Sequence, residues 1–172
     1  IWLRDGCLAF LLGTIYIFLW LLPLDWASWC GGWVARKVGP GLPVTRRARR
    51  NLELVFPHLS PEKKEQIIYG MWDNLGRTVA ELPHLNTILS DPQRVKLEGI
   101  QHVYELRDDG RPGLFFSAHL ANWEISVMVG ARAGLPLCLV YRAANNKYVD
   151  KIIQKARGIC PGLTYVPKGP IG

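Results

Sequence analysis

Three observations predict an α/β fold, a mostly parallel sheet flanked by helices, preceded by an N-terminal membrane helix and a helical segment. An uncharged apolar run occupies Cys7 to Leu24. Two amphipathic helical patterns follow between Thr45 and Leu82. From residue 95 onward, short apolar runs alternate with helical stretches over short links, the pattern of crossover units on a parallel sheet. The segments expected are 1–35, a membrane anchor and interfacial stretch; 36–90, basic and amphipathic helices; and 91–172, the N-terminal part of an α/β domain.

The first element is the run CLAFLLGTIYIFLWLLPL, eighteen positions without a charge. That is about the lower limit for a membrane-spanning helix. A secretory signal peptide is the competing reading, but a small-residue cleavage site should follow one, whereas Asp25-Trp26 and more tryptophans follow here. Five of the seven tryptophans (Trp2, Trp20, Trp26, Trp29, Trp33) lie in or beside this run. Indole favours the headgroup layer, so the cluster predicts a helix ending at an interface and a second stretch lying along it. A tryptophan-rich helix in a soluble core is the alternative.

Residues 36 to 50 hold six basic residues (Arg36, Lys37, Arg46, Arg47, Arg49, Arg50) and no acidic one, within a chain of net charge +7. Basic residues beside a spanning helix stay cytoplasmic, so the chain after residue 35 is expected to face the cytosol. The same cluster attracts anionic headgroups. It lacks the interleaved aromatics of a nucleic-acid surface, so lipid is the expected partner and nucleic acid is not. Cys7, Cys30, Cys138 and Cys160 are scattered without C-x-x-C spacing and predict neither a zinc site nor a disulfide framework.

The Gly/Pro stretch Val38 to Pro43 breaks the chain, and Thr45 is expected to cap a basic helix running to about Phe56. Ser60-Pro61-Glu62 is a helix start. Its helix carries Ile67, Ile68, Met71, Trp72, Leu75, Val79 and Leu82, a stripe expected to be core. Beyond Pro83 the expected elements are a strand at Val95–Leu97, a helix from Ile100 to Leu106 and a strand at Leu114–Phe116. A helix from Asn122 to Ala133, a strand at Leu137–Tyr141, a helix from Lys147 to Arg157 stopped by Gly158 and a strand at Leu163–Val166 complete the series. The chain begins at Ile1 and ends in Gly169-Pro170-Ile171-Gly172 just after a strand, which reads as a fragment cut within a domain.

Ligands of an open parallel sheet bind outside the carboxyl ends of its strands. His119 follows Leu114–Phe116, Arg142 follows Leu137–Tyr141 and Lys168 follows Leu163–Val166, so all three are expected at one edge. A neutral imidazole at His119 can accept a proton, and Glu124, five positions on, can orient it and stabilise its charged form. The amides opening the Asn122 helix offer positive potential to a phosphate or developing oxyanion, and Arg142 adds a charged donor. The spacing alone has low specificity, and a structural histidine at a strand end is the competing reading. His58, His84 and His102 have Lys63, Leu89 and Arg107 at that offset. There is no G-x-S-x-G elbow, no nucleotide-binding glycine loop and no metal-ligand spacing.

His119-Leu120-Ala121-Asn122-Trp123-Glu124 behind an apolar run resembles the His, four residues, acid motif of the lipid A biosynthesis acyltransferases. These late lauroyl/myristoyl transferases are lysophospholipid acyltransferase-like. The likeness includes the N-terminal anchor, Arg50-Asn51-Leu52-Glu53-Leu54-Val55-Phe56-Pro57, Trp72-Asp73-Asn74-Leu75-Gly76-Arg77, and Val140-Tyr141-Arg142 with Asn145-Asn146. The acid is Glu rather than the Asp common in glycerolipid acyltransferases. The resemblance implies a glycerolipid acyltransferase-like fold and transfer of a fatty acyl group to a hydroxyl of a phosphorylated lipid A precursor. The donor would be acyl carrier protein or acyl-CoA, at the cytoplasmic face of the bacterial inner membrane, with no cofactor. In that scheme His119 and Glu124 are catalytic, and Asn122, Trp123, Arg142, Asn146 and Lys168 contact substrate. The departure is length, since later sheet strands and acyl-pocket residues of the family are absent. Two other readings are a different glycolipid or glycerophospholipid acceptor, and a non-catalytic membrane-anchored lipid-binding module.

Overall fold

A computed structural model describes residues 2–144, 146–157 and 161–169. Asn145, Gly158, Cys160 and residues 170–172 lie outside the described residues. The chain divides into two compact units, Leu19–Glu81 and the remainder, Ile1–Phe18 with Leu82–Gly172.

The apolar run does not form one long helix. Helix α1 spans Trp2–Leu21 and α2 spans Leu24–Val38, because the residue before a proline is driven out of helical geometry and Pro23 starts a new helix. The uncharged part of α1, Cys7 to Leu21, is therefore about 22 Å long at 1.5 Å per residue, against a hydrocarbon core of about 30 Å. Among the described residues no helix is long and apolar enough to cross a membrane. The expected single span is therefore not shown.

In the Leu19–Glu81 unit, α2 lies along α4 (Pro61–Glu81). The seam is made of small residues. A Cβ added to Gly31 would overlap the Gly76 carbonyl and the Ala80 side chain, and one added to Gly76 would overlap Gly31 and Ala35. Ala27 and Ala80 are buried beside them. A polar chain runs along the same seam. Asp73 accepts from Arg36 Nη1 at 2.7 Å and Arg77 Nε at 2.8 Å, Arg77 donates to Ser28 Oγ at 3.3 Å, and Ser28 donates to Glu81 at 2.7 Å.

The stripe expected as core is only partly buried. Ile68 is sealed, whereas Ile67, Met71, Leu75 and Val79 remain exposed. The line that packs is Lys64, Ile68, Trp72, Gly76, Ala80, at i+4 spacing, and it uses glycine and alanine where helices approach most closely. Ser60 opens α4 as expected, its hydroxyl accepting from the Lys63 amide at 3.3 Å.

Helix α3 (Thr45–Val55) begins at Thr45, which is not its cap. The buried Thr45 hydroxyl instead donates to the Gly39 carbonyl at 2.6 Å and accepts from Trp72 Nε1 at 3.1 Å. Arg49 makes a two-pronged bond to Glu65 at 2.6 and 3.0 Å, and Lys64 pairs with Glu53 at 2.6 Å.

The second unit holds α5 (Leu85–Ser90), α6 (Ile100–Asp108), α7 (Trp123–Arg132), β1 (Leu137–Tyr141), α8 (Lys147–Arg157) and β2 (Leu163–Pro167). Leu85, Met128 and Ala131 form its core, with Leu82, Leu89, Ile125 and Leu163 packed around them. β1 and β2 pair in parallel from Leu137↔Leu163 to Tyr141↔Pro167, with α8 as the crossover. That much of the expected sheet is present. The other two expected strands are not.

Val95–Leu97 is irregular and lines a groove of about 310 Å³ with Tyr104, Val129 and Arg132. Leu114–Phe116 is irregular too, with Leu114 80% and Phe116 90% exposed. A strand exists only where a neighbour accepts its backbone hydrogen bonds, and apolar composition does not supply that neighbour. The described chain is thus mostly helical with a two-stranded parallel sheet, rather than a mostly parallel sheet flanked by helices.

Candidate active site

The segment carrying the His-x4-Glu pattern is a bent loop running into α7. The Leu120 amide donates to the Ala118 carbonyl at 2.8 Å, a three-residue turn centred on His119. Ala121 then adopts φ +46°, a left-handed conformation that costs an L-residue about 1–2 kcal/mol. Two sharp bends in succession lift His119 clear of the chain, and its side chain is exposed. Backbone strain of this kind concentrates at functional positions.

Asn122 stands at the N-cap position of α7 but makes no side-chain capping bond. Trp123 and Glu124 open the helix, one turn beyond His119. The His119 and Trp123 rings meet edge to face, with centroids 4.7 Å apart at 60°. Trp123 Nε1 donates to Glu124 Oε1 at 3.0 Å. Glu124 is only 5% exposed. Its main partner is Arg157, the last residue of α8, whose guanidinium donates Nε to both carboxylate oxygens at 3.1 and 3.0 Å and Nη2 to Oε1. Among the described residues no hydrogen bond joins His119 to Glu124 directly. The indole of Trp123 stands between the two.

Burial pulls the Arg157 pKa down, but hydrogen bonding to Glu124 and the Glu124 charge outweigh it, with Tyr165 and Asp150 adding to the effect. The net shift is upward, so Arg157 stays charged in the interior. A buried carboxylate requires such a partner. Arg157 also lies 5.6 Å over the Tyr165 ring, and Tyr165 meets Tyr141 edge to face at 6.0 Å. The Tyr141 hydroxyl donates to Asp150 at 3.3 Å, and Asp150 accepts the Ala144 amide at 2.9 Å. Burial and the Asp150 charge push the Tyr141 phenol above its ordinary pKa. A continuous set of contacts therefore links His119 to the turn that follows β1.

Arg142 and Lys168 lie at the carboxyl end of the two strands, as expected. The Lys168 amide donates to the Tyr141 carbonyl at 2.7 Å, and both side chains are exposed. Asn146 instead serves the backbone. Its Oδ1 accepts the Tyr148 and Val149 amides at 2.9 and 3.3 Å, capping α8, while Nδ2 donates to the Asp5 carbonyl at 3.1 Å. Arg157, Tyr165 and Asp150 were not legible as site residues. Arg157 reads in sequence only as a helix end, and the signal that could have found it is the need of Glu124 for a cation.

The family model described as bacterial lipid A biosynthesis acyltransferase matches residues 5–162. The chain is 24% identical over 141 residues to the lipid A biosynthesis acyltransferase of Haemophilus influenzae, covering 73% of this chain and 44% of that protein. It is 25% identical over 135 residues to lipid A biosynthesis acyltransferase 2 of Shigella flexneri, covering 74% of this chain and 40% of that protein. The chain thus spans less than half the length of these curated relatives. No solved structure matches. With the match running through both units and the whole His-x4-Glu loop, the chain belongs to the bacterial lipid A biosynthesis acyltransferase family.

Proposed function

We propose that the protein transfers a fatty acyl group from a thioester donor, acyl carrier protein or acyl-CoA, to a hydroxyl of a phosphorylated lipid A precursor. The setting is the cytoplasmic face of the bacterial inner membrane. The reading is carried by one observation: an exposed imidazole on a strained loop, backed by a buried ion pair, within the family match. His119 takes the proton of the acceptor hydroxyl as its oxygen attacks the thioester carbonyl, and the thiolate departs. A thioester is already activated, so no acyl-enzyme is required. Glu124 acts at one remove. Held by Arg157, it fixes the Trp123 indole, against which the imidazole rests. Arg142 and Lys168 meet phosphate, and the amides opening α7 stabilise the developing oxyanion.

The test is acyl transfer by the full-length protein with His119→Ala. The expected loss in kcat/KM is about 10²- to 10⁴-fold. Transfer near the parental rate would sink the base assignment. Mass spectrometry of lipid A from cells lacking the gene checks the acceptor, with one acyl chain fewer expected. A second reading, a non-catalytic lipid-binding module, draws on the engagement of Glu124 with Arg157 and Trp123 instead of His119. It requires His119→Ala to leave the lipid A acyl count unchanged.

A further inference from the structure

Helix α2 has two unlike sides. At about 100° per residue, Trp26, Trp29 and Trp33 fall within an arc of roughly 60°, and Lys37 continues the line one turn on. Ala27, Ser28, Gly31, Gly32 and Ala35 fall on the opposite side, against α4. All three indoles are exposed, yet they are ordered against one another. Trp26 and Trp29 meet edge to face at 6.5 Å, and Trp29 and Trp33 stack at 6.4 Å and 19°. A contiguous exposed aromatic strip of this kind marks an interaction surface.

Charge identifies the occupant. Of the basic residues between 36 and 50, Arg36 and Arg49 are spent on Asp73 and Glu65. Lys37, Arg46, Arg47 and Arg50 are exposed and have no carboxylate partner among the described residues. On α3, Arg46, Arg47 and Arg50 share one outward face with Leu54, away from the side carrying Thr45 and Arg49. Nucleic acid would account for the cations and a second copy for the indoles. Only a bilayer surface with anionic headgroups takes both, since indole settles at the headgroup level and cations gain from the surface potential.

We propose that the Trp26–Trp29–Trp33 stripe of α2, with Lys37 and the outward arginines of α3, docks the protein on an anionic lipid bilayer. The inference deepens the membrane setting proposed above and rests on it, but on no part of the His119 chemistry.

The test is co-sedimentation of the full chain with vesicles of phosphatidylcholine alone or mixed with phosphatidylglycerol. Trp26→Gln/Trp29→Gln/Trp33→Gln is expected to lower partitioning into the mixed vesicles by about tenfold. Lys37→Gln/Arg46→Gln/Arg47→Gln/Arg50→Gln is expected to lower it about fivefold per cation, and to leave binding to phosphatidylcholine alone unchanged. If circular dichroism shows the triple variant unfolded, Trp29→Gln alone stands in, with a loss of about threefold. Parental partitioning of either multiple variant overturns the proposal. So does a triple variant that turns a dimeric parent into a monomer while vesicle binding persists, and so does a quadruple variant that loses only oligonucleotide binding. His119→Ala is expected to bind vesicles like the parent, so failure of docking and failure of the acyl-transfer reading are told apart.

Discussion

Between α2 and α4, Gly31 and Gly76 bring two helix backbones so close that a Cβ on either would overlap the other. Between α6 and α7, Leu114, Phe115 and Phe116 stand in the open, and among the described residues no strand pairs with them. The first region is built of small residues and charges and is tightly packed, while the second is built of large hydrophobics and is not. Burial follows the presence of a complementary partner, and hydrophobicity only sets what burial is worth once the partner is there. The His119 loop joins the two behaviours, since it starts in the exposed stretch and ends on the buried Glu124–Arg157 pair.

The sharpest way to break this comparison is Gly76→Val. It drives a branched side chain into the Gly31 backbone and should cost about 3 kcal/mol or more in chemical denaturation, up to loss of folding. A cost below about 1 kcal/mol would mean that the helices are not in backbone contact. Next is Glu124→Ala, which strands the Arg157 charge in the interior and should cost about 3 kcal/mol. Combining it with Arg157→Met should recover part of that loss, and a double variant no better than the single one would show that the ion pair is not the source.

Ala121→Gly should raise stability by about 1 kcal/mol, read as a higher Tm, because glycine adopts the left-handed turn without strain. Phe116→Ser should change stability by less than about 0.5 kcal/mol, since the ring is already exposed. A large loss there would reveal a partner for the Leu114–Phe116 run. The smallest effect concerns pH. Hydrogen bonding to Arg49 holds the Glu65 carboxyl below its ordinary value of 4.5. Its contribution is therefore present above about pH 4.5 and lost as pH falls through the lowered pKa, amounting to a few tenths of a kcal/mol for so exposed a pair. Glu65→Gln should flatten that part of the acid unfolding curve.

Local pattern was a good guide wherever local rules suffice. Ser60-Pro61-Glu62 starts α4, the α6, α7 and α8 stretches are helical as expected, and Leu137–Tyr141 and Leu163–Val166 pair in parallel. Caps, proline stops and apolar periodicity act within a few residues, so they can be read from a few residues. The same reasoning failed at Thr45, whose hydroxyl is claimed by Gly39 and Trp72, and at the α4 stripe, where the packed line runs through Gly76 and Ala80. At the candidate site, His119 and Glu124 were legible as a pair five positions apart, but the Trp123 indole that touches both was not. Nor was Arg157, 33 positions beyond Glu124.

Sequence by itself determined where α4, α6, α7 and α8 run, that Leu137–Tyr141 and Leu163–Val166 are strands, and which segment carries a histidine with an acid five positions on. Tertiary structure alone decided which apolar residues are covered, which acid meets which base, and which side of α2 is left with three indoles facing outward. The physical reason is range. Backbone geometry and capping are settled by near neighbours, whereas desolvation and ion pairing depend on groups brought together from distant parts of the chain.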